Sequence, residues 1–233
     1  MRTRWGIVGG MGALASADFA RTIYECNVTK NEQDGPVVIL FSDPGMPDRT
    51  EAFLNGSTSV LVERLVEQLT DLKDLGVDKI VLCCVTLHYT LPHIPVELRR
   101  SVVSLIDVAL AQVIDRQQRQ LLLCSTGTRA AAIFESHDLW REASDYIVWP
   151  DEHDQKLIHE WLYRYKQPGD VALMAPHVES LLAKYNAESF IAGCTELHLF
   201  TRRLRETNSA MRFVDPLITI AERFIQQQKV AAV

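Results

Sequence analysis

Two cysteines at matching places in a duplicated segment are the residues of this sequence best suited to chemistry. Cys84 lies within residues 72–88 and Cys194 within residues 182–198, and these stretches align without a gap at an offset of 110 residues. The pKa of a free thiol, about 8.5, is close enough to neutrality for the thiol to accept or donate a proton. Two thiols on opposite faces of one carbon atom would form an acid–base pair that needs no cofactor.

A histidine follows each cysteine by four residues, at His88 and His198, and this leaves two other interpretations open. Free cysteine is among the most buried residue types, so both thiols could be core side chains. Two cysteines and two histidines are also a possible set of zinc ligands, although structural zinc sites usually have tighter spacings. Core packing alone does not explain why the two residue types recur together in both copies.

The residues before each cysteine predict the end of a helix, a sharp stop and a short buried strand. Gly76 and Asn186 occupy the stop in the two copies, and both tolerate the left-handed conformation that follows a helix C-terminus. Ligands bind beyond the carboxyl ends of strands in open α/β sheets, so each thiol is expected at a binding edge. The duplication predicts an α/β fold of two similar Rossmann-like α/β/α subdomains with short parallel sheets. A pseudo-two-fold would relate them, with the active site in the cleft between them.

The rest of the chain fits the same scheme. An apolar run over residues 5–8 indicates the first strand, and a second series of strands and helices begins with a strand candidate over residues 102–106. A last strand and helix are expected to return to the first half. The predicted first subdomain comprises residues 1–98 plus 213–233, and the second comprises residues 99–212.

The glycine-rich loop of residues 9–12 follows the first strand and could offer backbone N–H groups to an anion. It partly fits the dinucleotide-binding fingerprint. That fingerprint requires an acidic residue about 20 positions further on, whereas Asp43 lies about 31 positions on. A nicotinamide or flavin cofactor is therefore a weak alternative.

Two other loops carry polar side chains beyond predicted strands. Arg49 could hold a carboxylate by two parallel hydrogen bonds, or it could be a surface arginine paired with Asp48 or Glu51. The loop of residues 125–128, Ser-Thr-Gly-Thr, can donate backbone and hydroxyl hydrogen bonds to a ligand. The simpler alternative is that it caps the helix that follows.

The composition is that of an ordinary soluble globular protein, with 47% hydrophobic and 23% charged residues. A net charge of -6 argues against non-specific nucleic-acid binding, which requires a basic surface. The N-terminus does not resemble a signal peptide, and no run approaches the roughly 20 apolar residues of a membrane span. Five cysteines, an odd number without a secretory signal, indicate free thiols in a cytoplasmic protein.

The chain resembles the aspartate/glutamate racemase family, whose members are cofactor-independent two-cysteine enzymes, and it is most similar to the aspartate racemase branch. The resemblance covers essentially the whole chain, and its motifs are specific in combination. They are residues 9–12, 47–50, the Cys84 segment, 125–128, 192–196 and 215–216.

This resemblance implies that Cys84 and Cys194 are the two acid–base residues. It makes Arg49 a candidate contact for the side-chain carboxylate of the substrate and Lys166 a second cationic anchor. Val85 departs from the family pattern, because the usual motif is Cys-Asn-Thr and valine cannot make the hydrogen bond of that asparagine. The other candidates for substrate contact are Met11, Thr86, Thr126, Thr128, Thr195 and Glu196.

The resulting hypothesis is a PLP-independent amino-acid racemase that acts on aspartate or glutamate. Val85 leaves open a racemase of a neutral or derivatised amino acid, and the scaffold leaves open a related isomerase such as a hydantoin racemase or maleate isomerase. A zinc-binding or non-catalytic amino-acid-binding module is the alternative from another class. The resemblance implies a homodimer with a small-molecule amino-acid substrate, no cofactor and no metal, and we expect neither a nucleic-acid nor a membrane partner.

Overall fold

The structure is a computed structural model that describes residues 3–230, with side chains as far as residue 223. Among these residues, no helix is both long enough and apolar enough to cross a bilayer. The strands are β1 (Arg4–Gly9), β2 (Val37–Ser42), β3 (Lys79–Leu82), β4 (Val102–Val103), β5 (Gln120–Cys124), β6 (Ile147–Val148), β7 (Ser189–Gly193) and β8 (Arg212–Val214). The helices are α1 (Ala13–Cys26), α2 (Arg49–Leu54), α3 (Thr58–Asp74), α4 (Val96–Arg99), α5 (Leu105–Arg116), α6 (Thr126–Ala130), α7 (Trp140–Ala143), α8 (Glu152–Arg164), α9 (Ala175–Lys184), α10 (Leu197–Glu206) and α11 (Pro216–Val230).

The strands form two four-stranded sheets with the same order, β2-β1-β3-β4 and β6-β5-β7-β8. All neighbouring strands in both sheets are parallel. The two cysteine-bearing copies provide the equivalent strands β3 and β7. The predicted α/β fold with two similar, short parallel sheets is therefore confirmed.

The predicted helix stops are also confirmed. Gly76 and Asn186 have positive φ angles of 74° and 49°. The residue after each of them donates its N–H back to the last helical turn, from Val77 to the Leu72 carbonyl and from Ala187 to the Leu182 carbonyl. This 6→1 hydrogen bond is the one that ends a helix on a left-handed residue. The same helix stop therefore precedes both β3 and β7, the two strands whose carboxyl ends carry the cysteines.

The sheet membership of two strands differs from the prediction. Strand β8 pairs with β7, Phe213 lying opposite Phe190, so the expectation that this strand returns to the first half is wrong. Strand β4 pairs with β3 and belongs to the first sheet, and it ends at Val103 because Ser104 caps α5 by accepting the Asp107 N–H. Strand β4 thus pairs with β3 and strand β8 with β7, the strand that precedes each of them in the sequence. Consecutive strands are usually neighbours in a sheet, because the connection between them is short. The proposed subdomain boundaries otherwise stay a prediction.

The helix that follows the last strand of each sheet packs against the other half. Helix α11 lies on α1, where Asn27 donates to the Ala221 carbonyl at 2.9 Å. Helix α5 lies on α7. The two helices also contact each other, Gln112 donating to Thr219. Side chains from both halves thus form one continuous central core, and this core fixes the position of one sheet relative to the other.

Candidate active site

A small cavity lies between the two halves, at the carboxyl ends of β3 and β7. Cys84 comes two residues after β3 and Cys194 directly after β7, and both thiols line the cavity. Its volume is about 20 Å³, which is room for about one water molecule. The site is therefore closed in this structure. The other lining residues are Met11, Arg49, Thr50, Thr86, Ser125, Leu162, Tyr163, Lys166 and Glu196.

Cys194 has a carboxylate as its nearest polar neighbour. Its Sγ donates to Glu196 Oε2 at 2.7 Å. Burial raises the pKa of the Cys194 thiol well above its usual value, and the negative charge of Glu196 raises it further. The second oxygen of Glu196, Oε1, is buried and has no hydrogen-bond partner in the part of the chain that the structure describes. Cys194 is consequently a protonated thiol at neutral pH.

Cys84 has a cation beside it. Arg49 is the first residue of α2 and is only 8% exposed, so the interpretation as a surface arginine is wrong. Its guanidinium donates to the carbonyls of Met11 at 2.8 Å and Pro47 at 3.1 Å. Burial lowers the pKa of Arg49, but the nearby Cys84 and Asp48 outweigh burial and leave the pKa raised. The two thiols therefore have surroundings of opposite charge.

A cluster of hydroxyl groups forms another wall of the cavity. Thr86 Oγ1 lies 3.0 Å from Ser125 Oγ and 2.9 Å from Thr128 Oγ1, and the latter two atoms are 3.1 Å apart. Thr195 Oγ1 donates to the Cys83 carbonyl at 3.1 Å, which joins the two cysteine-bearing loops. Hydroxyls are flexible donors and acceptors, so this wall can hold a carboxylate or an amino group.

Contacts between α2 and the second half close the cavity. Asp48, which caps α2, accepts the Tyr163 hydroxyl at 2.7 and 2.9 Å. Lys166 Nζ lies 3.5 Å from Asp48 Oδ2 and 3.4 Å from the centroid of the Tyr163 ring. Burial raises the pKa of Asp48, but backbone N–H, Tyr163 and Lys166 contacts leave it lowered. On the other side, a Cβ atom at Gly127 would collide with Thr50, so α2 and α6 touch only because residue 127 is glycine.

Most of the sequence-predicted site residues line this cavity, and four do not. Thr128 and Thr195 are buried behind the wall. Thr126 instead contacts His159 Nδ1 through its N–H at 3.3 Å and its hydroxyl at 3.2 Å. Val85 has right-handed helical backbone angles that turn its side chain into the central core, where it is 2% exposed. The expectation that Val85 lines the site is therefore wrong.

Tyr163 is one of four lining residues, with Thr50, Ser125 and Leu162, that were not among the predicted substrate contacts. It reads as an ordinary aromatic residue on an amphipathic helix. The available signal was its spacing of three residues from Lys166, which follows the end of α8 in a turn whose Lys166 N–H donates to the Tyr163 carbonyl. Because Lys166 was expected in the site, its neighbour Tyr163 could have been expected there as well.

The repeated histidines are structural. His88 Nδ1 lies 3.0 Å from the Cys84 carbonyl, and its Nε2 accepts the Leu105 N–H at 3.2 Å. His198 Nδ1 lies 2.8 Å from Asp215 Oδ2. Each histidine thus joins the segment after its cysteine to the start of α5 or α11, which explains why the two residue types recur together. Within the described residues, no group of three or more His, Cys, Asp or Glu could hold a metal ion, so the zinc interpretation of this set is wrong.

The glycine-rich loop is explained by close packing within the protein. Gly10 has a φ of 91° and would collide with the Asp43 backbone if it carried a Cβ. A Cβ at Gly12 would lie 2.7 Å from Glu196 Oε1. Protein atoms therefore occupy the space over these two glycines, which removes the reason to consider a dinucleotide there.

The protein thus consists of two α/β halves of the same strand order, with one thiol at the equivalent strand end of each half. A family model described as Asp/Glu/Hydantoin racemase matches residues 8–223. The chain therefore belongs to the Asp/Glu/hydantoin racemase family, and racemases are isomerases.

Solved structures with the same fold include two aspartate racemase relatives and a glutamate racemase. The aspartate racemase of Picrophilus torridus is 21% identical with a TM-score of 0.80, covering 97% of this chain and 94% of that one. An aspartate racemase homologue of Pyrococcus horikoshii is 18% identical with a TM-score of 0.68, covering 97% and 99%. Glutamate racemase of Francisella tularensis, solved with D-glutamate, is 14% identical with a TM-score of 0.65, covering 99% and 82%.

Proposed function

We propose that this protein is a PLP-independent amino-acid racemase that works by a two-base 1,1-proton transfer at the α-carbon. The observation that carries the proposal is the pair of thiols, one from each half, that line a single small cavity. Arg49 lies on the Cys84 side and Glu196 on the Cys194 side. Such a difference in charge equips one thiol as the base and the other as the acid.

In one direction Cys84, as a thiolate, removes the α-proton, and the electron pair of the C–H bond is delocalised into the substrate carboxylate. The hydroxyls of Thr86 and Ser125, which both line the cavity, donate to this enolate. The Cys194 thiol then gives its proton to the opposite face of the carbon. In the other direction Cys84 has taken up a proton from solvent, and Cys194 first transfers its proton to Glu196. The Cys194 thiolate then removes the α-proton, and the Cys84 thiol gives its proton to the opposite face of the carbon.

Aspartate or glutamate is the substrate class that the site supports best. Arg49 and Lys166 bring two cations to the cavity, and each can hold a carboxylate of a dicarboxylic amino acid. The reason to consider a neutral or derivatised amino acid was Val85. Because the Val85 side chain lies in the central core, it does not alter the cavity wall.

The test is proton exchange in D₂O with L- and D-aspartate and L- and D-glutamate, followed by a panel of other amino acids, a 5-substituted hydantoin and maleate. Loss of the α-proton NMR signal together with formation of the other enantiomer of aspartate or glutamate is the expected result. Exchange only of the hydantoin, or isomerisation only of maleate, would move the protein to another activity of the same scaffold. No turnover of any compound would overturn the proposal.

The two-thiol step has its own control. We expect Cys84→Ser and Cys194→Ser each to reduce conversion between enantiomers by about 10³-fold, because each removes one acid–base partner. Circular dichroism should show an unchanged fold. Near-normal conversion in either variant would remove that thiol from the mechanism. We also propose a homodimer, for which analytical ultracentrifugation should give twice the mass of one chain.

A further inference from the structure

A second cavity lies behind Cys84, between the two halves. Its volume is about 220 Å³, compared with about 20 Å³ for the cavity that contains the thiols. The 3₁₀ segment Thr86–His93 and the start of α5 form its first-half walls, and residues 131–137 form the wall from the second half. The lining residues that matter here are His88, Tyr89, Ile106, Ile133, Ser136 and His137.

This cavity exists because the duplication is broken at one place. In the second half, α1 covers His198: the Phe19 ring packs edge-on against the imidazole with centroids 6.0 Å apart, and Thr22 Oγ1 lies 2.9 Å from Nε2. The counterpart of α1 over His88 is α6, since β1 and β5 hold equivalent positions in their sheets. Helix α1 has 14 residues and α6 has five. Helix α6 therefore ends before it can cover His88.

The segment that leaves α6 has an unfavourable backbone at the cavity edge. Ala132 has a φ of 47°, a left-handed conformation that is uncommon for a residue with a Cβ. Its neighbours Ala131 and Ile133 both line the cavity. Strained residues persist where the surrounding structure over-determines them, and they cluster at ligand sites and switch regions.

The walls fit a neutral, mostly apolar ligand. His137 Nε2 lies 2.5 Å from Asp107 Oδ1, so this imidazole already has a partner. Burial lowers the pKa of His88 to about 4, so that imidazole is neutral, and both of its nitrogens have partners. Tyr89, Ile106 and Ile133 supply apolar surface, and the Ser136 hydroxyl lies at the exposed rim. An apolar cavity of about 150 Å³ is large enough to bind benzene, so 220 Å³ accommodates one or two fused rings with a polar substituent.

The cavity is connected to the thiol site through two of its walls. His88 contacts the Cys84 carbonyl at 3.0 Å and the Leu105 N–H at 3.2 Å, so a shift of α5 reaches the cysteine loop through one imidazole. Tyr89 has a buried hydroxyl without a hydrogen-bond partner among the described residues. Burial raises the pKa of Tyr89 to about 12, and Cys84 and Arg49 contribute with opposite signs, so this side chain extends from the second cavity toward the thiol site.

From this arrangement we propose that the second cavity binds a small neutral aromatic molecule, and that its occupancy changes the reactivity of Cys84. The consequence for turnover rests on the proposed function, whereas the binding and the change in thiol reactivity do not. A phenol or an indole has the required size, flatness and single polar substituent. A carboxylate-bearing ring does not fit, because the walls offer no unpaired cation.

The binding test uses phenol and indole as probes and benzoate as the charged control, observed by saturation-transfer NMR on the full chain. We expect phenol or indole to bind, benzoate not to bind, and Ser136→Leu at the rim to weaken binding at least 10-fold. Ala131→Leu, at a residue that lines the cavity, should also weaken binding at least 10-fold. Asp138→Leu, exposed on the same segment and outside the cavity, should bind as the unchanged protein does. Absence of binding by both neutral probes, or binding that Ser136→Leu leaves unchanged, would overturn the site.

The coupling test follows alkylation of Cys84 by iodoacetamide with peptide mass spectrometry. A saturating probe should change the alkylation rate at Cys84 at least twofold in the unchanged protein and in Asp138→Leu, and leave it unchanged in Ser136→Leu. Equal rates with and without bound probe would refute the coupling. Because this readout needs no turnover, it is independent of whether the chain racemises an amino acid.

Discussion

Glu196 differentiates the two thiols at the level of single residues, because its Oε2 accepts a hydrogen bond from Cys194 Sγ at 2.7 Å. We expect Glu196→Gln, which cannot take up that proton, to lower kcat/KM by about 10²-fold. Enantiomers have equal free energies, so kcat/KM must fall equally in both directions. The asymmetry should instead show in the primary deuterium isotope effect on kcat, which should grow only with the enantiomer whose α-proton Cys194 removes.

The measurement is steady-state kinetics of each enantiomer, with and without deuterium at the α-carbon. Glu67→Gln, on the surface of α3 and away from the cavity, is the matched control and should behave as the unchanged protein. Normal kinetics in Glu196→Gln would show that Cys194 loses its proton by another route.

His88 makes the stability of the fold depend on pH. Burial lowers its pKa from 6.5 to about 4, so between these values the unfolded chain binds a proton that the folded chain excludes. Folding stability should therefore fall as the pH drops from 6.5 toward 4, by about 3 kcal/mol for this group. In His88→Gln, which keeps a donor and an acceptor, urea denaturation across this range should show a shallower loss. An identical pH slope would contradict the assignment.

The cysteines could be predicted from sequence because a repeated residue at a strand end is a local signal. Val85 could not be placed correctly, because its position depends on backbone angles of -61° and -47° that turn it away from the site. His198 could not be interpreted until its partner Asp215 was known, since 17 residues separate them. A short sequence pattern does not show which side chains of two different elements will be in contact.

At the level of elements, Asp215 fixes the start of α11. It accepts the Leu217 N–H at 2.8 Å and contacts His198. Burial raises the pKa of Asp215, but His198 and the hydrogen bonds outweigh burial and leave the pKa lowered from 3.8. Its ionised form thus contributes stability above pH 3.8, and this contribution is lost as the pH falls through the lower pKa of the folded state.

We expect Asp215→Asn to lower the free energy of unfolding at pH 7 by about 1–3 kcal/mol, because the buried His198 and Thr201 side chains lose a charged hydrogen-bond acceptor. Urea denaturation measures this change. Asp115→Asn, exposed on α5, should change stability by less than about 0.5 kcal/mol. A small effect at Asp215 would mean that other contacts hold the two elements together.

Helices and strands were predicted correctly from the sequence where short-range patterns determine them. The stops at Gly76 and Asn186 and the strands after them are as predicted. The strand candidate over residues 102–106 became two strand residues and a helix, because Ser104 caps α5. Sheet membership was mispredicted for β8, since pairing partners are chosen by tertiary packing rather than by the segment itself.

At the level of the whole molecule, the proposed racemisation would require the cavity between the two halves to widen, because its volume of about 20 Å³ is too small for an amino acid. Gly127 is where α6 and Thr50 of α2 approach too closely for a side chain. We expect Gly127→Ala to hold the halves slightly apart and to lower kcat/KM by up to about 10²-fold, the cost of a displacement near 1 Å between reacting groups. The thermal midpoint should change little, because the central core is untouched.

Gly169→Ala is the matched control, since an added Cβ there has its nearest neighbour at 4.0 Å. Racemisation kinetics of both variants, with small-angle scattering in the presence of substrate, would measure the change. Unaltered kinetics in Gly127→Ala would show that contact between α2 and α6 is dispensable for turnover.

The crossing of α5 and α11 onto opposite halves is the arrangement that a fusion of two identical chains would leave behind. A single ancestral copy would have lacked a surface on which its own terminal helix could pack. In a pair of copies, the terminal helix of each could pack against the other. In such a symmetric pair of copies both sulfur atoms would have the same neighbours. In a single polypeptide the two sulfur atoms can have different neighbours, and here an arginine lies beside one and a carboxylate beside the other.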